Sequence, residues 1–335
     1  MILKMSKPGR QPYVYGIILT AYIFLNQTAG AAEAAQADAR DLLDRMGRAT
    51  RELNYDGIFI YRREQGMDTM RLIHRSSQDG ETERLITLTG QPREVIRTKD
   101  SVTCIFPEDR QILIEKSRTH KLLFAQFPEA LERIGEYYSF SVSGEDRIAG
   151  KDTWVVEIVP GDEYRYGYRL WIDKESNLLL KSDLDDKAGV PVEQMLFTQL
   201  EILETIPDDL LRPSTNGHDY TLHNSSTIEH FRETKGIYWK TGWLPVGFTL
   251  VNYEQKPNAE DADAVEHLIY TDGLAMVSVF VEQTGASPDF KPGGQKMGAV
   301  NAFSEVINGY LVTAIGEAPY ATVRGMATSV VSGNP

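Results

Sequence analysis

From residue 38 onward the apolar positions first recur at helical spacing. Leu42, Met46, Ala49 and Leu53 fall on one helical face, with Asp38 placed to cap the start. The period then shortens to two. GIFIYRR (57–63), TMRLIHR (69–75), ERLITLTG (83–90), REVIRTKD (93–100), VTCIFPE (102–108) and QILIEKS (111–117) read as strands parted by polar turns such as Gln78-Asp79-Gly80. Such short connections favour an antiparallel meander, because parallel neighbours need longer crossovers. A second helix is expected around Phe127 to Phe140, where Pro128 suits a first turn and Phe127, Leu131, Ile134 and Tyr138 form one stripe. Strands resume in DTWVVEIVP (152–160), YRYGYRLWIDK (164–174), NLLLKSDLD (177–185) and VEQMLFTQLEIL (192–203), with hairpin turns at 149–152 and 174–177.

Several strands are apolar on both sides. Ile58 and Ile60 oppose Phe59 and Tyr61, and Ile112 and Ile114 oppose Leu113. A solvated antiparallel sheet would alternate cleanly, so both faces must be covered or one must line an apolar cavity. A large, strongly curved sheet with helices on its concave side meets that requirement. From Glu204 to Ser226 the periodicity fades among prolines and turn formers, which reads as a linker. Beyond Ile228 a smaller unit begins. Asp272-Gly273 and Asn308-Gly309, each between apolar runs, are two-residue hairpin signals, and Val323, Ala327 and Val330 make a closing helical stripe after Pro319. The expected fold is α+β and mostly antiparallel: a signal segment at 1–37, a large domain at 38–205, a linker at 206–227 and a small domain at 228–335.

The N-terminal segment changes the compartment. Lys4, Lys7 and Arg10 precede an apolar run from Tyr13 to Leu25, and small residues ending at Ala31, Ala34 or Ala37 offer cleavage sites. An export signal is the expectation, because the run is shorter than the roughly 20 residues a bilayer span needs. Removing 1–37 moves the net charge from −13 to about −15, which excludes a general nucleic-acid binder. The charge is uneven: residues 60–121 carry 12 Lys/Arg against 10 Asp/Glu, and 122–210 carry 8 against 19. A first half basic by comparison could meet anionic groups, although uneven solvated charge explains it as well. The single cysteine, Cys104, allows no internal disulfide; it sits in an apolar strand run and reads as a buried, inert thiol.

Catalytic and metal signatures fall short. No G-x-S-x-G elbow is present, and Val142-Ser143-Gly144-Glu145 looks like a strand end. His218, His223 and His230 are spaced by five and seven, which puts no pair on one helical face. SDLDDKAG (182–189) lacks the glycine and distant glutamate of a calcium loop and reads as a charged hairpin. KPGGQKMGA (291–299) lacks the G-K-[ST] of a phosphate loop and reads as a flexible turn. No catalytic residue, metal ligand or cofactor is assigned.

Aromatic and aliphatic clusters stand out instead. Phe124, Phe127, Leu131, Ile134, Tyr137 and Tyr138 gather around the second helix, and Tyr164, Tyr166, Tyr168 and Trp171 lie on a strand where even spacing shares a face. Core packing is the plainer explanation. With Phe59 and Tyr61, however, Phe124, Phe127, Leu131, Ile134, Tyr138, Tyr166, Tyr168 and Trp171 are candidates for an apolar lipid groove. In the small domain Tyr238, Trp239 and Trp243, together with Phe280, are candidates for partner contact or for core.

WLPVGFTLVNYEQ (243–255), HLIYTDGLAMVSVFVEQ (267–283) and INGYLVTAIGEAPYATVRGMATSVV (307–331), together with YDGIFIYRR near the start, resemble the MucB/RseB family over nearly the whole mature chain. WLPVGF, YTDGLAMVSVFVE and AIGEAPYATV are the most specific parts. The resemblance implies a half-open barrel similar to LolA- and LppX-type lipoprotein carriers, followed by a small sheet domain. It further implies a periplasmic negative regulator of an envelope-stress sigma factor of the sigma-E/AlgU type. Such a protein binds the periplasmic segment of a MucA/RseA-type anti-sigma factor and shields it from site-1 proteolysis. Lipid or lipopolysaccharide fragments weaken that hold. Homo-oligomerisation is a further expectation that no feature of the sequence decides. A periplasmic lipid or lipoprotein carrier is the alternative, supported by the first domain alone and opposed by the second.

Overall fold

The computed structural model describes residues 38–64, 66–117, 131–224, 239–257, 264–283 and 292–332, so the expected signal segment lies outside it. Helix α1 covers residues 38–52. It is followed by β1 (Asn54–Arg63), β2 (Gly66–Ser77), β3 (Gly80–Thr87), β4 (Glu94–Arg97), β5 (Ser101–Phe106) and β6 (Gln111–Lys116), then by the helical turn α2 (Leu131–Ile134). A second meander holds β7 (Tyr138–Ile148), β8 (Lys151–Pro160), β9 (Gly167–Asp173), β10 (Leu179–Asp185) and β11 (Pro191–Leu203), before α3 (Asp208–Leu211) and β12 (Thr221–Asn224). These strands make one 12-stranded sheet in the order β12-β6-β5-β4-β3-β2-β1-β11-β10-β9-β8-β7. Its end strands β12 and β7 do not pair with each other, so the barrel is half-open, as expected.

The helical stripe of α1 drives assembly of this domain. Leu42, Leu43 and Met46 are buried against Phe59, Leu72, Val156, Ile158, Leu170, Ile172, Met195 and Phe197 on the inner face of the sheet. Each fully buried side chain of this size contributes about 1.5–3 kcal/mol. The two-sided apolar strands are explained in part by a second, smaller cluster on the outer face, where Ile73 packs with Ile206 and Leu211.

That outer cluster corrects the expected linker. As far as Asn224 the 206–227 segment belongs to the large domain. Arg84 Nη1 donates to the Leu210 carbonyl at 2.9 Å, Ser214 N donates to Glu94 at 3.1 Å, and β12 adds to β6 as a parallel strand. The apolar anchors are few and separated by prolines, which hid them from a periodicity argument. Cys104 is half-buried rather than fully buried, and burial, followed by the charge of Glu115, pushes its thiol pKa up. That keeps it protonated, in line with an inert thiol.

The small domain comprises β13 (Trp239–Thr241), β14 (Thr249–Pro257), β15 (Ala264–Thr271), β16 (Met276–Gln283), β17 (Gly293–Met297), β18 (Val300–Ile307), β19 (Tyr310–Glu317), α4 (Tyr320–Thr328) and β20 (Val330–Ser332). A six-stranded antiparallel sheet runs β14-β15-β16-β19-β18-β17, and β13 pairs with β20. Val277, Val279 and Val281 face α4, whose Val323, Met326 and Ala327 complete the core. Asn308 (φ 51°) and Gly309 (φ 85°) form the expected two-residue hairpin between paired Ile307 and Tyr310. The glycine-rich stretch expected to be a turn is instead the edge strand β17, because pairing with β18 overrides its weak intrinsic propensity. The ring of Tyr320 occupies the space a Cβ at Gly294 would take, which accounts for a glycine there.

Candidate functional site at the domain seam

The loop between β15 and β16 carries the small domain into the large one. A two-residue hairpin was expected at Asp272-Gly273, yet Thr271 pairs with Met276, leaving a four-residue loop. Asp272 builds it: its Oδ1 accepts the amides of Leu274 (2.9 Å) and Ala275 (2.8 Å). Gly273 sits at φ 106°, and a Cβ there would lie 2.9 Å from Ile134 Cγ2 of α2, so the backbone is pressed against the large domain. Leu274 then joins the large-domain core.

The other carboxylate oxygen of Asp272 anchors the seam. Its Oδ2 accepts Arg165 Nε at 2.6 Å and the Tyr138 hydroxyl at 2.9 Å. Arg165 also donates to Asp162 and to the Val246 carbonyl, and its guanidinium stacks near Tyr137 (5.1 Å), Tyr138 (5.7 Å) and Phe248 (5.3 Å). Both side chains of the Arg165–Asp272 pair are 0% exposed. Burial opposes the charge on Arg165, but the Asp272 hydrogen bond and charge outweigh it and hold the guanidinium pKa above its ordinary value. Burial, then the charge of Asp272, drives the Tyr138 phenol well above its usual range.

Further along, Ala299 N donates to Glu193 Oε1 at 2.8 Å, and Asn301 Nδ2 donates to the Tyr166 hydroxyl at 2.9 Å. Thr322 Oγ1 donates to the Tyr164 carbonyl at 2.7 Å, and the Tyr164 and Trp243 rings meet edge-on at 5.0 Å. Between these contacts lies a cavity of about 50 Å³, lined by residues including Tyr61, Tyr168, Leu184, Glu193, Leu274 and Glu317. That is space for a few water molecules, far below the roughly 300 Å³ at which small-molecule pockets begin.

The expected lipid residues divide accordingly. Tyr61 and Tyr168 line the cavity, while Phe59, Leu131, Ile134 and Tyr138 are packed in the inner core beside it. Tyr166 is buried at the seam against Leu184 and Ala299. Trp171 is not brought to this face. One residue out of step with Tyr166 and Tyr168, it pairs with Val155 on the outer side, where its Nε1 donates to Asp146 at 2.9 Å and Lys181 Nζ sits 3.5 Å from the ring centre. Phe124 and Phe127 lie outside the described residues, as does Tyr238.

Of the partner candidates, Trp239 is in the small-domain core beside Tyr310, and Trp243 is at the seam. Phe280 stands half-buried on the sheet face opposite α4, stacked on His267 at 4.2 Å. Sequence reasoning missed Arg165, Glu193, Leu274 and Glu317. Charged residues beside tyrosines or at strand ends look like solvated surface, and no spacing links positions a hundred residues apart. The 182–189 run is the expected charged hairpin, with Asp186 Oδ1 accepting the amides of Ala188 (2.8 Å) and Val190 (2.9 Å). Sequence spacing also did not reveal His74, Glu81 and Glu83, whose ligand-type atoms lie within 4.8 Å of one another. His74 Nδ1 is 2.7 Å from the Leu53 carbonyl and the ring stacks on Tyr55, an arrangement that a buried hydrogen-bonded histidine accounts for.

Comparison with known proteins places this architecture. The MucB/RseB N-terminal domain matches residues 38–215 and the MucB/RseB C-terminal domain matches residues 233–331. The sigma-E factor regulatory protein RseB of Haemophilus influenzae is 31% identical over 304 residues, covering 89% of this chain and 93% of that protein. The sigma factor AlgU regulatory protein MucB of Pseudomonas aeruginosa is 30% identical, covering 93% and 96%. Among solved structures, that of the P. aeruginosa MucA/MucB complex superposes with a TM-score of 0.72 at 27% identity, over 89% of this chain and 100% of the other.

Proposed function

The chain belongs to the MucB/RseB family, and from that premise we propose that it is an exported regulator that binds the periplasmic segment of a MucA/RseA-type anti-sigma factor. By shielding that segment from site-1 proteolysis it restrains a sigma factor of the sigma-E/AlgU type. The observation that carries this reading is the match, across both domains, to a protein solved together with MucA. Among the described residues no helix is long and apolar enough to cross a membrane, and the signal-like residues 1–37 support a periplasmic location. The chain acts as a binder in this reading, with no catalytic role assigned to any residue.

The test is protection. The anti-sigma periplasmic segment is incubated with its site-1 protease, with and without the mature chain. Slower cleavage with the chain is expected, and equal cleavage would overturn the reading. Phe280, on the face of the small sheet opposite α4, is the partner contact this reading favours. Phe280→Ala is expected to weaken binding of the segment by about tenfold or more, the scale of an interface hot spot. Binding measured by calorimetry checks this, and unchanged affinity with an unchanged melting temperature would remove Phe280 from the contact.

Lipid release is the second half of the proposal. At about 50 Å³ the cavity cannot admit an acyl chain while Leu274 is seated, so lipid would enter by displacing the 272–275 loop and driving the domains apart. Ligand and partner then favour different domain arrangements, and each must weaken the other by the same factor. Leu274→Ala removes the plug and costs the seam about 2–5 kcal/mol of packing. A fluorescent fatty-acid probe should bind this variant more tightly than the parent. Equal binding would argue against entry at this point.

A further inference from the structure

Two carboxylates from different domains share the seam cavity. Glu193 comes from β11 of the large domain and Glu317 from the end of β19 in the small domain, and both line the same small space. Both Glu193 oxygens are held: the Tyr61 hydroxyl donates to one and the Ala299 amide to the other at 2.8 Å. Closing the domains therefore brings a second carboxyl group into a partly dry space that already holds one.

We propose that this seam is a proton-linked latch: closure favours a proton on Glu317, and loss of that proton weakens the hold of the small domain on the large one.

The surroundings of Glu317 offer little to compensate its charge. It interacts with Tyr61 of β1, with Tyr168 of β9 and Tyr166 just before it, and with Glu193 of β11; Arg63, Asp272 and Asp186 act on those tyrosines, on Tyr61, Tyr168 and Tyr166 respectively. Arg63, the one cation of that group, is engaged elsewhere, with Nη2 2.8 Å from Asp68 and its guanidinium over the Tyr61 ring at 5.4 Å. Asp272 is already neutralised by Arg165 at 2.6 Å. Burial first, and the Glu193 charge second, push the Glu317 carboxyl up to about 7. Once the domains separate, water reaches Glu317 and its affinity for a proton returns to the ordinary carboxylate range.

The sign follows from linkage. The closed state binds the proton more tightly than the open state, so closure is favoured in acid and weakens as pH rises through about 7. Between the ordinary carboxylate range and about 7 the closed-to-open ratio should fall by up to about a hundredfold and then level off, since each pH unit between the two proton affinities is worth a factor of ten. This device is a property of the chain alone and does not depend on the anti-sigma reading. Through the lipid-release scheme it would make the regulator's hold sensitive to periplasmic pH.

Small-angle X-ray scattering of the full mature chain between pH 5.5 and 8.5 tests it without any partner, so its failure and that of the binding reading remain distinguishable. The maximum dimension of the parent protein should grow as pH rises toward neutrality and level off beyond it, and Glu317→Gln should stay compact throughout. A parent profile that is flat across the range, or a transition that persists in Glu317→Gln, would overturn the latch. If that variant folds poorly, carbon-13 titration of the Glu317 carboxyl in the unmodified chain decides. A midpoint raised above the ordinary carboxylate range toward 7 is expected, and an ordinary carboxylate midpoint would overturn the proposal.

Discussion

Replacing Arg165 by alanine should cost the closed two-domain arrangement about 3–5 kcal/mol, the usual consequence of stranding one member of a buried ion pair. Asp272 would keep the loop amides on Oδ1 and the Tyr138 hydroxyl on Oδ2 but lose the guanidinium, leaving a carboxylate that is 0% exposed with no cation to answer it. The aromatic walls formed by Tyr137, Tyr138 and Phe248 would lose their cation as well. Lysine should not rescue, because Arg165 reaches Asp272, Asp162 and the Val246 carbonyl at once through a planar fork. Calorimetry should show the single cooperative transition of the parent dividing into two as the domains uncouple. A double change, Arg165→Ala with Asp272→Asn, should cost less than the sum of its parts, since the uncompensated charge is gone. Strict additivity would mean that the pair does not hold the seam.

The second large effect is Trp239→Ala. This residue is 8% exposed and packs on Tyr310 with ring centres 4.7 Å apart, within the strand that pairs with β20. Truncating a buried tryptophan costs about 3–5 kcal/mol through lost burial and an unfilled cavity. The small domain should melt at lower temperature, and anti-sigma binding should fall in step with the folded fraction rather than at fixed stability. Trp239→Phe should recover most of both. Binding lost at full stability would instead return Trp239 to the partner surface. Trp243, edge-on to Tyr164, is expected to act differently again, through the domain seam.

The contrast among these residues marks what sequence could and could not convey. Strands with period-two apolar positions and the Asn308-Gly309 hairpin were legible because their signals are local. The 206–224 segment was not, since Ile206 and Leu211 are anchored by contacts with Ile73 far away in sequence. Trp171 shows how a single step of parity moves a large aromatic to the other side of a sheet. Family-level function was legible from accumulated pattern, while the seam was hidden. Arg165 and Asp272 are 107 positions apart, and each looks like an ordinary surface charge until the fold buries both.

Both halves of the Arg165–Asp272 contact belong to one polypeptide, which has a kinetic consequence. Reclosure is a unimolecular event whose effective concentration is fixed by the covalent connection and not by the protein concentration. Dilution therefore leaves the opened and closed fractions unchanged. Capture of a separate peptide depends instead on mass action, so the number of anti-sigma copies present would set occupancy and, through the coupling between partner and domain arrangement, shift the point at which the protein opens.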